Sequence, residues 1–334
     1  MNHLIALSHG NGGRKSHELL NNVVLPCFGK NNSSGFDSAI IRSIGEDIAF
    51  TTDSFVITPR FFPGGDIGKL AVCGTINDLS VCGAKPLYLS CSLIIEDGFS
   101  IDELRTILNS MAITANENNI KIITGDTKVV EKGSVDGLFI NTSGIGSINQ
   151  KLFFGSEYFE EKDAVIVTGN IGDHGMTIFT LRNDLKMKSN IQSDCSSVYE
   201  LATIIINESP NVRIMRDPTR GGLATILNEF VEGTDFSIEL IESNIPVSKA
   251  VKGLCEMLGM DPLYIANEGK IACIVSQKDS EKVLKALRLH PLGQNSSIIG
   301  YLNKRFPGTL YIRTTSGGER ILQMLSEDLL PRIC

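Results

Sequence analysis

Short runs of β-branched residues alternate with longer runs of helical spacing along the first half of the chain. Apolar positions recur three or four residues apart over Asp66–Cys82 and Ile101–Asn118, which predicts two helices. The runs around them are short and rich in β-branched residues, as is typical of strands. Strands are predicted over Ile48–Thr52, Leu87–Ile95, Lys121–Thr124 and Leu138–Ile148. The pattern is that of a mixed α and β domain.

The second half repeats this order of elements after a charged, turn-rich stretch at Gly155–Asp163. Its predicted elements are strands over Ala164–Thr168 and Ile271–Val275 and helices over Thr219–Glu232 and Glu281–His290. A chain of 334 residues is long enough for two cores of ordinary domain size. We therefore predict an N-terminal domain over residues 1–155, a C-terminal domain over residues 156–318 and a tail over residues 319–334.

The tail differs from the rest of the chain. A short amphipathic piece with Leu322, Leu325 and Leu329 leads to Pro331, which disfavours helix at the residue before it and cannot extend one itself. The last residues are therefore expected to be extended and able to reach a site elsewhere in the molecule. For Cys334 we expect no packing role.

Composition narrows the class of protein. Hydrophobic residues make up 42% and charged residues 21%, which is ordinary for a globular protein. The net charge is −7 and no long Lys/Arg run occurs, which argues against nucleic acid as a partner. No apolar stretch approaches the roughly 18 residues that span a bilayer, and no signal sequence is evident, so we predict a cytoplasmic protein without a membrane partner.

Cys73, Cys82 and Cys91 are interpreted as buried free thiols rather than zinc ligands, because the sequence has no C-x-x-C pair.

Five short segments combine Asp with Gly or other small residues at apparent strand-to-helix junctions. Each one alone is equally well explained by helix capping or a turn. Together they indicate Mg²⁺, which prefers a few carboxylates plus substrate phosphates, whereas clustered carboxylates without a cation repel one another. The segments are Thr52-Asp53-Ser54, Asn77-Asp78-Leu79, Gly125-Asp126-Thr127-Lys128, Gly172-Asp173-His174-Gly175 and Arg216-Asp217-Pro218-Thr219-Arg220-Gly221-Gly222.

A glycine-rich segment near the start, Ser8–Arg14, offers clustered backbone N–H groups to a phosphate, with Gly12 and Gly13 among its glycines. The alternative is a flexible turn. The familiar phosphate-binding loop is absent, because Gly68-Lys69 is followed by Leu70 rather than Ser or Thr. Use of ATP would therefore require a less common scaffold.

Several of these segments, and the ending of the chain, resemble the HypE family of hydrogenase maturation factors. The likeness covers essentially the whole length, and the ending is its most specific part. It is carried by Gly125-Asp126-Thr127-Lys128-Val129-Val130, Gly172-Asp173-His174-Gly175, Arg216-Asp217-Pro218-Thr219-Arg220-Gly221-Gly222-Leu223-Ala224, Asn267-Glu268-Gly269-Lys270 and Pro331-Arg332-Ile333-Cys334.

The resemblance implies a two-domain, PurM-like α/β architecture, shared with aminoimidazole ribonucleotide synthetase, selenophosphate synthetase and thiamine monophosphate kinase. It implies an N-terminal domain that forms a homodimer through its sheet, with ATP bound between the domains. A HypF-like carbamoyltransferase would load a carbamoyl group onto the thiol of Cys334. ATP-dependent dehydration would turn this group into a thiocyanate, whose cyano group passes to iron held by a HypC–HypD-like complex.

The resemblance also implies roles for individual residues. Asp53, Asp78, Asp126 and Asp217 would bind Mg²⁺ and ATP. Glu268 would be a base and Lys128 a charge stabiliser or proton relay, the alternatives being a surface turn and a solvated charge. His174 would contact phosphate or orient a carboxylate, or serve only as a structural hydrogen-bonding residue. Arg216 and Arg220 would contact phosphates or a carboxylate, or form surface ion pairs.

Two other functions compete with this interpretation. Selenophosphate synthetase activity is usually associated with a Cys or selenocysteine in the N-terminal glycine segment, and no Cys occurs between His9 and Lys15. A non-enzymatic carrier would hold a group on the tail and use the nucleotide only to switch docking. The acidic segments argue against a carrier, which needs no site of several carboxylates.

Overall fold

The computed structural model describes residues 13–19, 21–22, 39–41, 47–149, 154–183, 191–325, 330 and 332–334. Gly12, Leu329 and Pro331, which the sequence analysis singled out, lie outside the described residues. Within this part of the chain, no helix is both long enough and apolar enough to cross a bilayer.

The N-terminal domain is built on a five-stranded sheet with the order β1-β2-β7-β5-β6, in which β5 and β6 are parallel and the other pairs antiparallel. A small pair, β3 and β4, lies apart from it. The strands are β1 (Ala39–Ile41), β2 (Asp47–Phe55), β3 (Phe61–Phe62), β4 (Gly65–Asp66), β5 (Lys85–Glu96), β6 (Lys121–Val130) and β7 (Leu138–Ile148). The helices are α1 (Arg14–Leu19), α2 (Ile67–Val81) and α3 (Ile101–Glu117).

Helix α2 packs on one face of this sheet, against β2 and β7. It begins at Asp66, whose carboxylate accepts hydrogen bonds from the N–H groups of Gly68 and Lys69 at 2.7 and 3.0 Å. The opposite face of the sheet is exposed and apolar, and Phe50, Tyr88 and Ile145 lie side by side on it in adjacent strands. One face of the sheet is thus covered by its own helices, and the other is open.

The C-terminal domain contains a seven-stranded sheet with the order β14-β13-β10-β12-β8-β11-β9, in which β10 and β13 are parallel. Its strands are β8 (Ala164–Val167), β9 (Val212–Arg216), β10 (Ser237–Ile241), β11 (Ala272–Val275), β12 (Ser297–Asn303), β13 (Leu310–Arg313) and β14 (Glu319–Ile321). The helices are α4 (Asp173–Arg182), α5 (Tyr199–Glu208), α6 (Gly222–Val231), α7 (Lys249–Leu258) and α8 (Gln277–Leu289). Strand β14 extends this sheet into the range 319–334.

Both faces of the second sheet are buried. Because side chains alternate along a strand, Val165 and Val167 of β8 pack with α6, whereas Ala164 and Ile166 pack with α5 and α8. The predicted mixed α and β class with two domains of this kind is confirmed.

Three of the five Asp-containing segments were wrongly assigned to strand-to-helix junctions. Asp53 lies inside β2, Asp78 inside α2 and Asp126 inside β6. Two segments do lie where a helix begins: Gly172–Gly175 at α4 and Arg216–Gly222 before α6.

The expectation that Cys334 has no packing role is also wrong. Cys334 is only 7% exposed, and it packs with Leu330 and Ile333 in the main apolar cluster of the N-terminal domain. Ile178 of α4 belongs to the same cluster, so the end of the chain lies where the two domains meet.

Candidate functional site

An acidic cluster forms where β2 meets two loops of the C-terminal domain. Asp53 projects from β2 toward α2, since its partner in β7, Thr142, is fully buried and donates to Ala71 O of that helix at 3.2 Å. Asp217 follows β9, and Glu268 lies in the segment before β11. These carboxyl groups come from distant parts of the chain and influence one another electrostatically.

The surroundings favour the protonated form of each carboxyl. Burial raises the pKa of Asp53, and the facing charge of Arg220 opposes this. Burial raises the pKa of Asp217 to about 6, with Arg216 opposing and Asp53 adding to the increase. The pKa of Glu268 is raised well above its ordinary value by burial and by the negative charges of Asp217, Asp194 and Asp53. The cluster is therefore short of positive charge.

The loop that carries Asp217 is fixed by close main-chain approach. Gly221 and Gly222 have φ of +74° and +63°, and a Cβ on Gly222 would lie 2.6 Å from the carbonyl oxygen of Leu263. Only glycine fits there without displacing that chain. The Pro218 carbonyl accepts from both the main-chain N–H and the Nδ2 of Asn267, at 3.1 and 2.9 Å, which joins the Asp217 loop to the Glu268 segment.

Asp78 lies on α2 and accepts a hydrogen bond from Thr51 Oγ1 at 2.8 Å. Thr51 is two residues before Asp53 on the same strand and is also buried. Asp78 is therefore placed beside the strand that presents Asp53.

The acidic cluster fits a cation that arrives with phosphate oxygens better than a cage built of protein alone. Among the described residues, no three His, Cys, Asp or Glu side chains lie close enough together to hold a metal ion. Mg²⁺ commonly takes one or two carboxylates and completes its shell with water and substrate phosphates. Glu268 Oε1 is buried and has no hydrogen-bond partner in the described structure, so it adds one oxygen to those that a cation or a substrate can use.

The end of the chain is bound through His174. The ring is fully buried, and burial lowers its pKa, so it is neutral. Nε2 lies 2.8 Å from the carbonyl oxygen of Ile333, which can only accept, so Nε2 carries the proton. Nδ1 therefore accepts from Ser193 Oγ at 2.7 Å, and Ser193 Oγ in turn accepts from the N–H of Cys195 at 3.1 Å.

Further main-chain contacts hold the tail against the end of β2. The N–H of Val56 donates to the main-chain oxygen of Cys334 at 3.0 Å, and the Val56 carbonyl accepts from Arg332 Nε at 2.8 Å. Arg182 donates to the carbonyl of Arg332, while Arg332 pairs with Asp136 at 2.9 Å. Two of these contacts use main-chain oxygens of the tail and two use the Arg332 side chain, so together they fix both the path of the tail and the position of Arg332.

Asp126 and Lys128 lie apart from this cluster. They pair with Ser92 and Ile94 of β5, which places them on the open face of the sheet, opposite α2. Their side chains are 59% and 69% exposed and form an ion pair at 3.0 Å. The hydrogen bond from Lys128 lowers the pKa of Asp126. Within one chain, Lys128 is a solvated charge.

The remaining predicted site residues that the structure describes are Arg220, Arg216 and Gly13. Arg220 faces Asp53 and Glu268 electrostatically. Arg216 Nη1 binds Glu229 Oε2 at 2.9 Å, and the same carboxylate accepts from His17 at 3.0 Å. Gly13 is buried at the start of α1. The surface-turn alternative for Glu268 is wrong, because this residue is 2% exposed.

Sequence reasoning missed the residues that hold the site together. Asn77 was noticed only as the neighbour of Asp78, and Ser193, Asp194 and Arg182 belong to none of the segments singled out. Most of their contacts join positions far apart in the sequence, by 74 residues for Asp194 with Glu268 and by 150 for Arg182 with Arg332, whereas Ser193 and His174 are 19 residues apart. No local pattern could have shown them.

The chain has two α/β domains with an acidic cluster where they meet, and both domains match the AIR synthase related class of proteins. The family model of the AIR synthase related N-terminal domain matches residues 35–148, and that of the C-terminal domain matches residues 160–313, so the chain belongs to this class.

Within that class, the chain belongs to the HypE family of carbamoyl dehydratases. Carbamoyl dehydratase HypE from Bradyrhizobium diazoefficiens is 43% identical over 340 aligned residues, which cover 100% of this chain and 97% of the relative. A structure of a HypE–HypF complex matches with a TM-score of 0.87 and 41% identity, covering 92% of this chain and 99% of that one. A HypE structure in complex with ATP matches with a TM-score of 0.83 and 39% identity, covering 99% and 100%.

Proposed function

We propose that this chain is an ATP-dependent carbamoyl dehydratase that converts an S-carboxamide on Cys334 into a thiocyanate. The cyano group then supplies the cyanide ligand of a [NiFe] hydrogenase iron centre. The observation that supports this most directly is the link between tail and acidic cluster. Ser193 bonds to His174, which holds Ile333, and the next residue, Asp194, holds the N–H of Glu268 at 3.1 Å.

The reaction balances with ATP as the only co-substrate. The carboxamide oxygen takes the terminal phosphoryl group of ATP, which makes it a good leaving group and releases ADP. The C–O bond then breaks, the nitrogen loses both of its protons, and thiocyanate and phosphate leave. A bound Mg²⁺ would neutralise the charge on the transferred phosphoryl group. Asp53, Asp78 and Asp217 are the residues of this chain that we assign to the metal and ATP.

Glu268 is assigned as the acid–base group. Its carboxyl is buried beside the tail-binding segment, and its raised pKa suits a group that accepts and releases a proton. His174 is neutral and its Nε2–H is engaged by the Ile333 carbonyl, so it is assigned to holding the tail. Arg220 is assigned to phosphate because its charge faces both Asp53 and Glu268.

The assignment of Asp126 and Lys128 requires a second copy of the chain. Both residues lie on the open face of the sheet, next to Ile94, and β6 is an exposed edge strand. A long, apolar edge of this kind invites pairing with another chain. We propose that a homodimer covers this face and that Asp126 and Lys128 complete the site of the other subunit.

The proposed partners follow from the route of the cyano group. A HypF-like carbamoyltransferase loads Cys334, consistent with the complex of a related HypE with HypF. A HypC–HypD-like iron complex receives the product. In the described position, Cys334 is buried, so the tail must leave its groove for both exchanges. The same proposal includes a cytoplasmic location and domain boundaries after residues 155 and 318.

The test is the intact mass of the carbamoylated protein before and after incubation with Mg-ATP. We expect the loss of the mass of one water, and a Cys334→Ser variant treated with the same carbamoyltransferase should show no change. A non-enzymatic carrier would keep its mass. An unchanged mass under conditions in which ATP binds would overturn the proposed activity.

A further inference from the structure

Asn77 joins the two domains at a point directly behind Glu268. It lies in α2 of the N-terminal domain and is 0% exposed. Its Oδ1 accepts from the N–H of Val198 at 2.8 Å. Its Nδ2 donates to the carbonyls of Ser196 at 3.2 Å and Glu268 at 3.3 Å. All of these partners are main-chain groups of the C-terminal domain.

The main chain of Glu268 is also held from the other side. Its N–H donates to Asp194 Oδ1 at 3.1 Å, and Asp194 Oδ2 forms a buried ion pair with Lys270 at 3.0 Å. The next residue, Gly269, has no space for a side chain, because a Cβ would lie 2.0 Å from the carbonyl oxygen of Asp194. The peptide units around Glu268 are therefore fixed, while its carboxyl oxygen Oε1 has no partner among the described residues.

Helix α2 also carries Asp78, the next residue, which bonds to Thr51 of β2. Successive residues of a helix point about 100° apart, so Asn77 turns toward the C-terminal domain while Asp78 turns toward β2. Two successive residues of a helix cannot move independently of each other. The separation between Asp78 and the Glu268 segment is thus fixed by these two neighbouring positions of α2.

We propose that Asn77 is a positioning residue for Glu268: it places the acid–base carboxyl at a fixed distance from the carboxylates that receive the nucleotide. The inference rests on the proposed function, because it takes Glu268 as the acid–base group. Asn77 acts through the main chain of Glu268 and has no contact of its own with a substrate. Small displacements of a reacting group reduce rates strongly, so loss of this bond should lower the rate of dehydration more than the affinity for ATP.

The test compares Asn77→Ala with Ser80→Ala, a matched control. Ser80 is a buried polar residue one turn further along α2, and its Oγ donates to the carbonyl of Ile76 within the same helix. We expect Asn77→Ala to lower the single-turnover rate constant of dehydration by about tenfold or more with the Kd for ATP changed by less than about twofold. Ser80→Ala should leave both at the wild-type values. Equal rate constants in the two variants, or a loss of ATP affinity as large as the loss of rate, would overturn the inference.

A double variant isolates the route through Glu268. If Asn77 acts through Glu268, Asn77→Ala should add little to the loss caused by Glu268→Gln alone. An additional loss as large as that in the wild type would show that Asn77 acts elsewhere. Should Asn77→Ala fail to fold, Asn77→Asp keeps the volume and the acceptor for Val198, removes both donated bonds, and is held to the same outcomes.

Hydrogen exchange separates failure of this inference from failure of the proposed function. In Asn77→Ala, amides of the segment Ile265–Lys270 should exchange faster than in Ser80→Ala, while those of β7 should not change. If wild-type protein does not dehydrate its tail, the proposed function fails, and the exchange result still decides whether Asn77 fixes the Glu268 segment. Unchanged exchange in that segment would overturn the inference by itself.

Discussion

Replacing Asp217 by asparagine is expected to stabilise the ligand-free protein at high pH. Burial raises the pKa of Asp217 from 3.8 to about 6, with Arg216 opposing and Asp53 contributing. A carboxyl with a higher pKa in the folded state favours folding when it is protonated and opposes folding when it is ionised. The destabilisation of the wild-type protein by Asp217 is therefore absent well below the unfolded-state pKa, grows between about pH 4 and pH 6, and is complete above that range.

The magnitude follows from the two pKa values. A difference of about two pKa units corresponds to about 3 kcal/mol of unfolding free energy at pH 8, since one unit is about 1.4 kcal/mol. The destabilisation at pH 5 is about half as large, because the folded-state carboxyl is then mostly protonated. Asparagine also removes a favourable neighbour of Arg216, so we expect a gain of about 1–3 kcal/mol at pH 8.

The assay is urea-induced unfolding of the nucleotide-free protein at pH 8 and pH 5. Asp97→Asn, a change at an exposed aspartate outside the cluster, is the control and should leave the unfolding midpoint unchanged at both pH values. The same Asp217→Asn protein should lose Mg-dependent ATP binding. A destabilised variant at pH 8, or a gain of equal size at both pH values, would refute the electrostatic reasoning.

Three further outcomes are expected. Mixing the Lys128→Ala and Glu268→Gln variants should restore about a quarter of the wild-type rate if each site of the homodimer uses Glu268 of one subunit and Lys128 of the other. Half of the dimers are then mixed, and each mixed dimer holds one intact site. No recovery in proven mixed dimers would contradict this arrangement. His174→Ala should speed carboxypeptidase release of Cys334 by about tenfold, since one buried bond to Ile333 is lost, and equal rates would contradict the tail-holding role. Cys334→Ala should keep its fold and ATP affinity while forming no thiocyanate by mass, and loss of ATP binding would argue against a substrate-arm role.

Regular alternation made the strands predictable, and glycine made some of them hard to interpret. Strand β7 has the bounds predicted from the sequence, Leu138–Ile148. The Gly125-Asp126 pair was assigned to a strand-to-helix junction, because Gly and Asp are typical of turns and helix caps. In the structure, Gly125 lies within β6, and a Cβ there would lie 1.9 Å from the Cys91 carbonyl oxygen of the neighbouring strand. This glycine permits close approach of two strands, which a single sequence does not distinguish from a turn.

In the candidate site, too, some residues could be predicted from the sequence and others could not. Asp53, Asp78 and Asp217 were noticed because acidic residues beside small ones stand out locally, and Glu268 because of its motif. Their arrangement depends on Asn77 and Asp194, which act through main-chain groups far away in the sequence. Asn and Asp side chains are also common in helix caps and turns, so the sequence alone does not show whether one of them makes a local bond or a bond between distant segments.

Glu268, the proposed base, and the tail are held in ways that suit a substrate arm that leaves and returns. The main chain of Glu268 is fixed by Asn77, by Asp194 and by the N–H of Ser196, none of which belongs to the tail. The tail is held by hydrogen bonds to its main-chain oxygens, such as that from His174 to Ile333, by the side chain of Arg332 and by the apolar packing of Ile333 and Cys334. Because the tail itself supplies none of these bonds to the Glu268 main chain, they can persist when the tail leaves for loading. A base placed in advance, as proposed for Glu268, needs no rearrangement when the loaded tail returns, and this lowers the barrier of the chemical step.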